Sequence, residues 1–455
     1  MHIHILGICG TFMAGIAVLA KAVGYKVTGC DKNIYPPMST QLETLGIPIT
    51  DGFDSQQIQL KPDIYVIGNV VTRGNDLMEA ILNQDLPFIS GPQWLYENIL
   101  FDKWVLAVAG THGKTTTTAM LSWILDSCGL APGFLIGGIP NDFEVSARIP
   151  ISSKENVPSF FVIEADEYDT AFFDKRSKFS HYHPRTLILN NLEFDHADIF
   201  NDIEHIEKHF HHLVRTIPTE GRILVNDESK SLKKMLDMGC WSEVEYFGRH
   251  AKWSFTQQDE SLTSLEVMLD NKAQGRIDWD LIGHHNRMNA LAAISAARHV
   301  GISPQDAIQS LSKFKGVKKR MELLKSINNI ELYDDFAHHP TAIKTTIEGL
   351  KKQVNTGRIL VIIEPKSNTM KLGSMKNYLL ESLSDADLVF CYGKNISWDL
   401  EALFGKQDNV RVISDIDELA IGIVNTAKAK DKIIFMSNGD FSGLQDKVIK
   451  LFRNE

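Results

Sequence analysis

Short apolar runs alternate with segments of helical periodicity along most of the chain. Residues 2–8 form a strand-like run, and the apolar positions from Met13 to Val23 then recur at helical spacing until Gly24. Strands that alternate with helices predict parallel sheets, because a crossover helix is the usual connection between two parallel strands. Further strands are predicted at residues 27–31, 63–68, 88–90, 104–109, 159–164, 186–190, 330–334, 358–363, 387–392 and 432–436.

One segment departs from this alternation. Three β-like runs at residues 253–255, 264–269 and 276–282 are separated by polar turns, which predicts an antiparallel meander appended to a parallel sheet. A helix is expected from Asn286 to Val300, and a second one that Ser303 caps and Pro304 begins.

The length and the pattern together predict three domains. The 455 residues correspond to about three units of roughly 150 residues each. The pattern divides the chain into residues 1–103, 104–317 and 318–455. We expect an α/β fold in each unit: open α/β domains at the two ends, and a mostly parallel sheet carrying the meander in the middle.

Composition narrows the class of protein. Lys and Arg number 47 against 57 Asp and Glu, and the net charge of −10 argues against a uniformly basic nucleic-acid binder. Five widely spaced cysteines without a Cys-x-x-Cys favour free thiols in a reducing cytosol over disulfides or a zinc ribbon. With no leader-like segment and no apolar run of roughly 20 residues, we expect a cytoplasmic protein without a membrane partner.

The strongest local signal is a glycine-rich turn between a strand and a helix. Glycines let backbone N–H groups approach phosphate oxygens, and the helix N-terminus adds its positive end. The standard phosphate loop has a glycine where Val108 stands, but the Gly-Lys-Thr that opens the helix fits ATP. The predicted ATP-binding residues here are Gly110, Thr111, His112, Gly113, Lys114, Thr115 and Thr116.

Two later strand ends carry carboxylates. An apolar strand ends at Glu164 within an acidic segment, where a Mg²⁺ ligand is expected, although the segment alone also fits a solvated loop. The strand that ends near Asn190 is followed by Glu193 and His196, which could hold a second cation. We therefore predict metal ligation by Thr115, Glu164 and His196.

A second glycine turn lies at Gly7–Gly15, between the first strand and the first helix. Asp31 ends the next strand, where a carboxylate commonly holds a ribose hydroxyl. Because Cys9 and Phe12 replace two glycines of the dinucleotide pattern, NAD binding by a dehydrogenase is only a rival hypothesis, as is a nucleotide-gated protein without catalysis. Two phosphate-binding turns in separate domains favour two phosphorylated ligands.

Six segments together resemble one family. They are, in chain order, Gly-Thr-His-Gly-Lys-Thr-Thr at 110–116, Glu-Ala-Asp-Glu at 164–167, Glu-Phe-Asp-His at 193–196, His-Asn-Arg-Met-Asn at 285–289, Arg320, and Asp-Phe-Ala-His-His-Pro at 335–340. Their types and order are similar to those of the Mur ligases, ATP-dependent amide-forming enzymes of peptidoglycan metabolism. The segments span all three predicted domains.

The resemblance implies a fold and a set of ligands. It implies a Rossmann-like UDP-sugar domain, a central P-loop ATPase-type domain and a Rossmann-like C-terminal domain, with ATP and two Mg²⁺ ions as cofactors. The catalytic residues would be Lys114, Glu164 and His196. ATP would also contact Asn286, Asn289, Arg320 and Asp335, and the UDP-sugar would contact Gly7, Gly10, Thr11, Phe12, Met13 and Asp31.

Within the family, three stretches are similar to those of the branch that adds a tripeptide to UDP-N-acetylmuramate. They are the turn at Gly7–Met13, Tyr168–Lys178 and Glu364–Lys371. This resemblance implies that Arg176, Ser367 and Asn368 contact the peptide. The alternative is the branch that adds L-alanine to the same sugar nucleotide. In either case the expected partners are small molecules.

Overall fold

The computed structural model describes most of the chain. The described residues are 1–151, 158–197, 199–256, 263–353, 357–371, 373, 375–394, 396, 398–405 and 407–453, without the side chains of residues 368 and 401. Within them, no helix is both long enough and apolar enough to cross a bilayer.

The first domain is a parallel sheet with helices around it. Its strands are β1 (His2–Leu6), β2 (Lys26–Asp31), β3 (Ile49–Asp51), β4 (Ile64–Ile67) and β5 (Phe88–Ser90). Its helices are α1 (Thr11–Ala22), α2 (Met38–Thr44), α3 (Asp76–Asn83) and α4 (Gly91–Leu95). The strand order β3-β2-β1-β4-β5 places β1 at the centre, and its apolar side chains are fully buried because helices cover both faces of the sheet.

The central domain is built on a ten-stranded sheet. Its strands are β6 (Trp104–Ala109), β7 (Gly133–Leu135), β8 (Ala147–Arg148), β9 (Phe160–Ala165), β10 (Asp169–Ala171), β11 (Asp174–Ser177), β12 (Thr186–Leu189), β13 (Arg222–Asn226), β14 (Glu243–Phe247), β15 (Trp253–Thr256), β16 (Ser264–Leu269) and β17 (Lys272–Asp278). Its helices are α5 (Lys114–Ser127), α6 (Ile203–Val214), α7 (Lys230–Leu236), α8 (His284–His299) and α9 (Pro304–Leu311). The strand order is β17-β16-β15-β14-β13-β12-β6-β9-β7-β8, while β10 and β11 form a separate hairpin.

The third domain is a six-stranded sheet. Its strands are β18 (Glu322–Ile327), β19 (Ile330–Asp335), β20 (Ile359–Ile363), β21 (Leu388–Tyr392), β22 (Val410–Ile413) and β23 (Lys432–Met436). Its helices are α10 (Pro340–Gln353), α11 (Asn368–Lys371), α12 (Lys376–Ser382), α13 (Leu400–Phe404), α14 (Ile416–Thr426) and α15 (Leu444–Arg453). All neighbours in the order β18-β19-β23-β20-β21-β22 are parallel except the β18–β19 hairpin.

The predicted α/β fold class is confirmed, and so is the meander. β15 pairs in parallel with β14 and antiparallel with β16, so it joins the meander to the parallel sheet. The third meander strand was predicted at residues 276–282, which is too far along the chain. It spans Lys272–Asp278, and residues 279–283 instead lead into α8. Sequence patterns also missed short strands such as β3 and β8, which contain too few residues to show a period.

Three neighbouring strands determine where the site forms. β6 lies between β9 and β12, and all three run in parallel. Their carboxyl ends therefore meet at one edge, and the segments that follow them approach each other. These segments contain the phosphate loop, the acidic segment and Asn190.

One close backbone contact in the first domain is testable. A Cβ atom at Gly29 in β2 would lie 2.5 Å from Cδ1 of Ile8 and 2.7 Å from the carbonyl oxygen of Ile5 in β1. We expect Gly29→Ala to destabilise the protein by about 1–3 kcal/mol, because the strand carbonyl cannot move aside. Thermal unfolding measures the change.

Gly422→Ala is the matched control. A Cβ atom there, in the interior of α14, would find its nearest neighbour at 3.6 Å. This substitution should stabilise by about 0.5–1 kcal/mol. Equal Tm values for the two variants would contradict the proposed close packing of β1 on β2.

Candidate active site

A cleft of about 770 Å³ opens where the three domains meet. The predicted site residues that line it are Thr11, Thr111, His112, Gly113, Lys114, Thr115, Thr116, Glu164, His196, Asn286, Asn289, Arg320 and Asp335. The predicted residues outside this lining are Gly7, Gly10, Phe12, Met13, Asp31, Gly110, Arg176 and Ser367. The structure thus brings most of the predicted ATP and metal residues together.

The phosphate loop has the geometry of an anion site. The buried strand β6 leads into it, and Gly113 adopts a left-handed φ of 78° immediately before α5. A Cβ atom at Gly113 would lie 2.6 Å from Oδ1 of Asn289, so no larger residue fits there without a shift. No side chain caps the N-terminus of α5, which leaves its first N–H groups for a phosphate.

Lys114 is the buried cation of the cleft. Its Nζ donates to Oε2 of Glu167 at 2.8 Å and to the carbonyl oxygen of Gly110 at 2.8 Å, and only 10% of its side chain is exposed. Burial opposes the charged form, but the neighbouring carboxylates, Glu167 foremost, outweigh it and raise the pKa of Lys114. The ammonium is therefore charged at neutral pH.

Glu167 links this lysine to His196. Its Oε1 lies 3.5 Å from Nε2 of His196, on the side opposite Lys114. Burial alone would raise the pKa of Glu167, but the two basic neighbours hold it at about 2. The pKa of His196 is in turn raised, because Glu167 and Asp195 outweigh the effect of its burial.

Thr115 and Glu164 form a pair of oxygen ligands. Oγ1 of Thr115 donates to Oε1 of Glu164 at 3.0 Å, and the N–H of Gly137 donates to Oε2 at 2.7 Å. Burial raises the pKa of Glu164, and the charge of Asp166 adds to the effect. A buried carboxylate with incomplete compensation, beside a hydroxyl, fits a hard divalent cation.

The third domain contributes the positive charge of Arg320 beside Thr115. Nη2 of Arg320 donates to Oγ1 of Thr115 at 3.2 Å across the domain boundary, and its guanidinium lies 4.8 Å from the ring centre of Phe336. The Asp335 carboxylate accepts from the N–H groups of Met321 and Ala337 at 2.8 and 2.7 Å. Asp335 thus fixes the backbone around Arg320, while both residues line the cleft.

Asn286 and Asn289 lie one turn apart at the start of α8, and both line the cleft. The side-chain amide of Asn286 donates to the carbonyl of Ile282 at 2.8 Å, and Oδ1 of Asn289 accepts from Asn190 at 3.3 Å. Their orientation is therefore fixed before any ligand binds. Their contact with ATP remains a prediction.

The N-terminal turn already uses much of its own hydrogen-bonding capacity. The N–H groups of Gly7 and Ile8 donate to the carbonyl of Cys30 at 2.8 and 3.2 Å, and the N–H of Cys9 donates to Oδ2 of Asp31 at 2.9 Å. Asp31 therefore shapes the turn, a role that the sequence alone did not indicate. The N-terminus of α1, which no side chain caps, leaves donors for a diphosphate.

The predicted peptide residues lie away from the cleft lining. Arg176 on the β10–β11 hairpin is 64% exposed and pairs with Asp174 at 2.7 Å. Oγ of Ser367 accepts from the N–H of Met370 at 3.3 Å. The side chain of Asn368 lies outside the described part of the structure. Peptide binding by these residues stays a prediction.

Sequence reasoning missed Lys178. Its Nζ lies 3.6 Å from Oδ2 of Asp166 and 4.4 and 4.1 Å from the ring centres of Phe12 and Tyr168, between the first and central domains. Burial lowers the pKa of Lys178, and Asp166 partly compensates. A single lysine in a polar stretch gives no sequence signal of burial.

The pKa of Asp335 generates a prediction about stability. Burial raises it to about 6 despite the charge of Arg320. The folded state then binds more protons than the unfolded state between pH 4 and 6, so stability falls as pH rises through that window, by at most about 1.4 kcal/mol per pH unit from this group.

The matched measurement is the Tm of Asp335→Asn minus that of the wild-type protein. The variant lacks the titrating carboxyl, so this difference should increase from pH 4 to 6 and be constant above pH 7. A difference independent of pH would contradict the raised pKa.

Three models of one protein family match this chain. The model described as the Mur ligase family catalytic domain matches residues 2–102, the Mur ligase middle domain matches 108–297, and the Mur ligase glutamate ligase domain matches 319–439.

Individual relatives agree with these matches. The UDP-N-acetylmuramate–L-alanyl-γ-D-glutamyl-meso-2,6-diaminoheptandioate ligase of Escherichia coli K12 is 51% identical over 452 residues, 99% of this chain and 98% of that one. The UDP-N-acetylmuramate–L-alanine ligase of Syntrophomonas wolfei is 31% identical over 394 residues, 85% and 81% of the two chains. The crystal structure of a murein peptide ligase from Psychrobacter arcticus has a TM-score of 0.79 at 43% identity, covering 100% and 99%. The similarity extends through all three domains, and the chain therefore belongs to the Mur ligase family.

Proposed function

We propose that this protein uses ATP to join L-alanyl-γ-D-glutamyl-meso-diaminopimelate to UDP-N-acetylmuramate, releasing ADP and phosphate, in peptidoglycan recycling. The observation that carries the reaction type is the meeting of Lys114, Glu164 and Arg320 from two domains in one cleft. The choice of tripeptide is supported by the 51% identity to the E. coli ligase named for that peptide, against 31% for the alanine ligase.

The proposed reaction has two steps. The lactyl carboxylate of the UDP-sugar attacks the γ-phosphorus of ATP, forming an acyl phosphate as the bond to ADP breaks. The α-amine of the peptide's L-alanine then attacks the acyl carbon, phosphate leaves with the C–O electron pair, and the amine loses a proton. Both steps bring anions together, so the site has to supply positive charge.

Lys114 is the protein's first source of that charge. Its Nζ is bound to Glu167, and the γ-phosphate would compete with this carboxylate for the same ammonium. Because its pKa is raised, the lysine is already charged when a phosphate reaches it. The N-terminus of α5 would hold the phosphates in position for it.

Two Mg²⁺ ions would bind beside Lys114, held by oxygen and imidazole ligands. Thr115 and Glu164 would hold the first, and Glu164 or His196 the second, as both line the cleft around Lys114. When bound there, Mg²⁺ would neutralise phosphate charge and help to orient the transferring group. A cation would also stabilise the ionised form of Glu164, whose pKa burial raises.

Domain closure completes the proposed site. Arg320 contacts Thr115 only because the third domain rests against the phosphate loop. In that arrangement Arg320 adds positive charge, while Asn286 and Asn289 hold the nucleotide from the central domain. The closed cleft excludes water and so protects the acyl phosphate from hydrolysis.

The UDP-sugar would bind at the first domain. Its diphosphate would meet the N-terminus of α1 at Thr11, Phe12 and Met13, and Thr11 lines the shared cleft. This placement would direct the lactyl group towards Lys114. The peptide would enter from the third domain.

Lys114→Ala tests the phosphate-loop assignment. We expect kcat for peptide-dependent ADP release to fall by about 10²–10³-fold or more, because the cation facing the transferred phosphoryl group is lost. Binding of UDP-N-acetylmuramate, measured by calorimetry, should persist. Lys447→Ala, which removes a partly exposed lysine paired with Asp417 on α14, is the matched control and should keep full activity. Normal turnover by Lys114→Ala would refute the assignment.

Substrate preference tests the proposed function. With ATP and UDP-N-acetylmuramate fixed, the tripeptide should give a higher kcat/KM for ADP release than L-alanine, and reactions without the UDP-sugar should release none. The measurement is a coupled ADP assay with mass analysis of the product. A preference for L-alanine would instead assign the protein to the alanine-adding branch.

A further inference from the structure

Three potential metal ligands from separate segments converge beside the nucleotide cleft. His112 belongs to the phosphate loop, Glu193 follows β12, and His339 precedes α10 in the third domain. One ligand atom from each lies within 4.8 Å of the other two. Oε2 of Glu193 is 3.4 Å from Nε2 of His112 and 3.9 Å from Nδ1 of His339.

The histidine from the phosphate loop directs a buried nitrogen at Glu193. Nε2 of His112 is buried and makes no hydrogen bond, although it faces Glu193. Buried polar atoms without a partner are rare in folded proteins, because they lose their interaction with water without replacement. A cation between His112 and Glu193 would supply the missing partner.

The histidine from the third domain is held in one tautomer. Nε2 of His339 approaches the carbonyl of Phe194 at 3.4 Å and must donate to it, while Nδ1 accepts from the N–H of Thr341 at 3.3 Å. A carbonyl behind the outer nitrogen is the usual support of a metal-bound histidine. Metal binding would replace only the long contact with Thr341.

Glu193 supplies the negative charge. Its Oε2 faces both histidines, and the hydroxyl of Thr341 donates to the same oxygen at 2.6 Å. Two imidazoles and one carboxylate are a known three-ligand set for zinc. Tetrahedral zinc ligands at roughly 2.0–2.1 Å from the ion lie about 3.3 Å apart. The ligand atoms of this cluster lie within 4.8 Å of one another, so side-chain rotations that bring them together by up to about 1.5 Å would complete the site.

We propose that His112, Glu193 and His339 bind a transition-metal ion of the Zn²⁺ type, which fastens the third domain to the phosphate loop. The fourth position is open to water. The ligands belong to two domains, so the ion binds only the closed arrangement and stabilises it. Opening of the cleft for product release is then slower. The effect on turnover rests on the proposed ligase function, whereas the binding itself does not.

A histidine pair on α6 is the competing site. The rings of His205 and His209 lie 5.0 Å apart on one helical face, and Nδ1 of His209 already contacts Oγ of Ser177 at 2.7 Å. Among the described residues, no third ligand atom completes a cluster with this pair, so it should bind metal more weakly. His205→Gln removes it and is the control for the proposed site.

The test uses Co²⁺ as a spectroscopic probe and Zn²⁺ as its competitor, with full-length protein free of nucleotide. We expect one equivalent of Co²⁺ to give the intense visible absorption of a tetrahedral site, and Zn²⁺ to displace it. His112→Gln and His339→Gln should each weaken binding at least about tenfold, the lower range found even for loss of an outer-shell partner. His205→Gln should leave the spectrum unchanged, and circular dichroism checks that each variant is folded.

Two results would overturn the proposal. One is Co²⁺ affinity unchanged in both folded variants, and the other is loss of the spectrum in His205→Gln alone. In a second arm, Zn²⁺ should reduce the radius of gyration of the wild-type protein in solution scattering and leave that of His339→Gln unchanged; equal responses would refute the fastening of the domains. Metal binding with no tripeptide ligation would refute the proposed function while leaving the site intact.

Discussion

The ion pair between Lys114 and Glu167 is the interaction on which the site depends. A buried ammonium is stable only with negative charge beside it, and Glu167 provides that charge at 2.8 Å. His196 stabilises Glu167 from its other side, and Glu164 lies close enough to raise the pKa of Lys114 further. A phosphate that enters the cleft could therefore replace Glu167 as the partner of Lys114, and a Mg²⁺ ion could replace the cations that now neutralise the carboxylates.

The sheet topology places this cluster at the meeting point of three domains. The carboxyl ends of β6, β9 and β12 bring the phosphate loop, the acidic segment and Asn190 to one edge. Lys178 connects the cluster to Phe12 in the first domain, and Arg320 connects it to the third. Movement of either outer domain thus changes the charge balance around Lys114, which couples closure to the proposed chemistry.

Local sequence patterns predicted the strands and the phosphate loop. The contacts between site residues depend on segments that are far apart in the sequence, and local patterns did not predict them. Trp104–Ala109 is a strand as predicted, since a buried parallel strand reads as one apolar run, and Gly113-Lys114 marks the turn after it. The partner of Lys114, the N–H of Gly137 on Glu164 and the burial of Lys178 depend on residues far apart in the sequence. Asp31 illustrates this limit: its position predicted a ligand contact, which stays a prediction, whereas the hydrogen bond from Cys9 to its carboxylate had no sequence signal.

The central claim is that the sugar carboxylate is phosphorylated before the amide forms, and an isotope transfer tests it most directly. UDP-N-acetylmuramate labelled with ¹⁸O in the lactyl carboxylate is incubated with ATP, Mg²⁺, the tripeptide and the protein, and the released phosphate is analysed by mass spectrometry. The account predicts one ¹⁸O atom in the phosphate for each amide bond formed, because the attacking oxygen leaves with the phosphoryl group. Unlabelled phosphate accompanying the same amide product would contradict it.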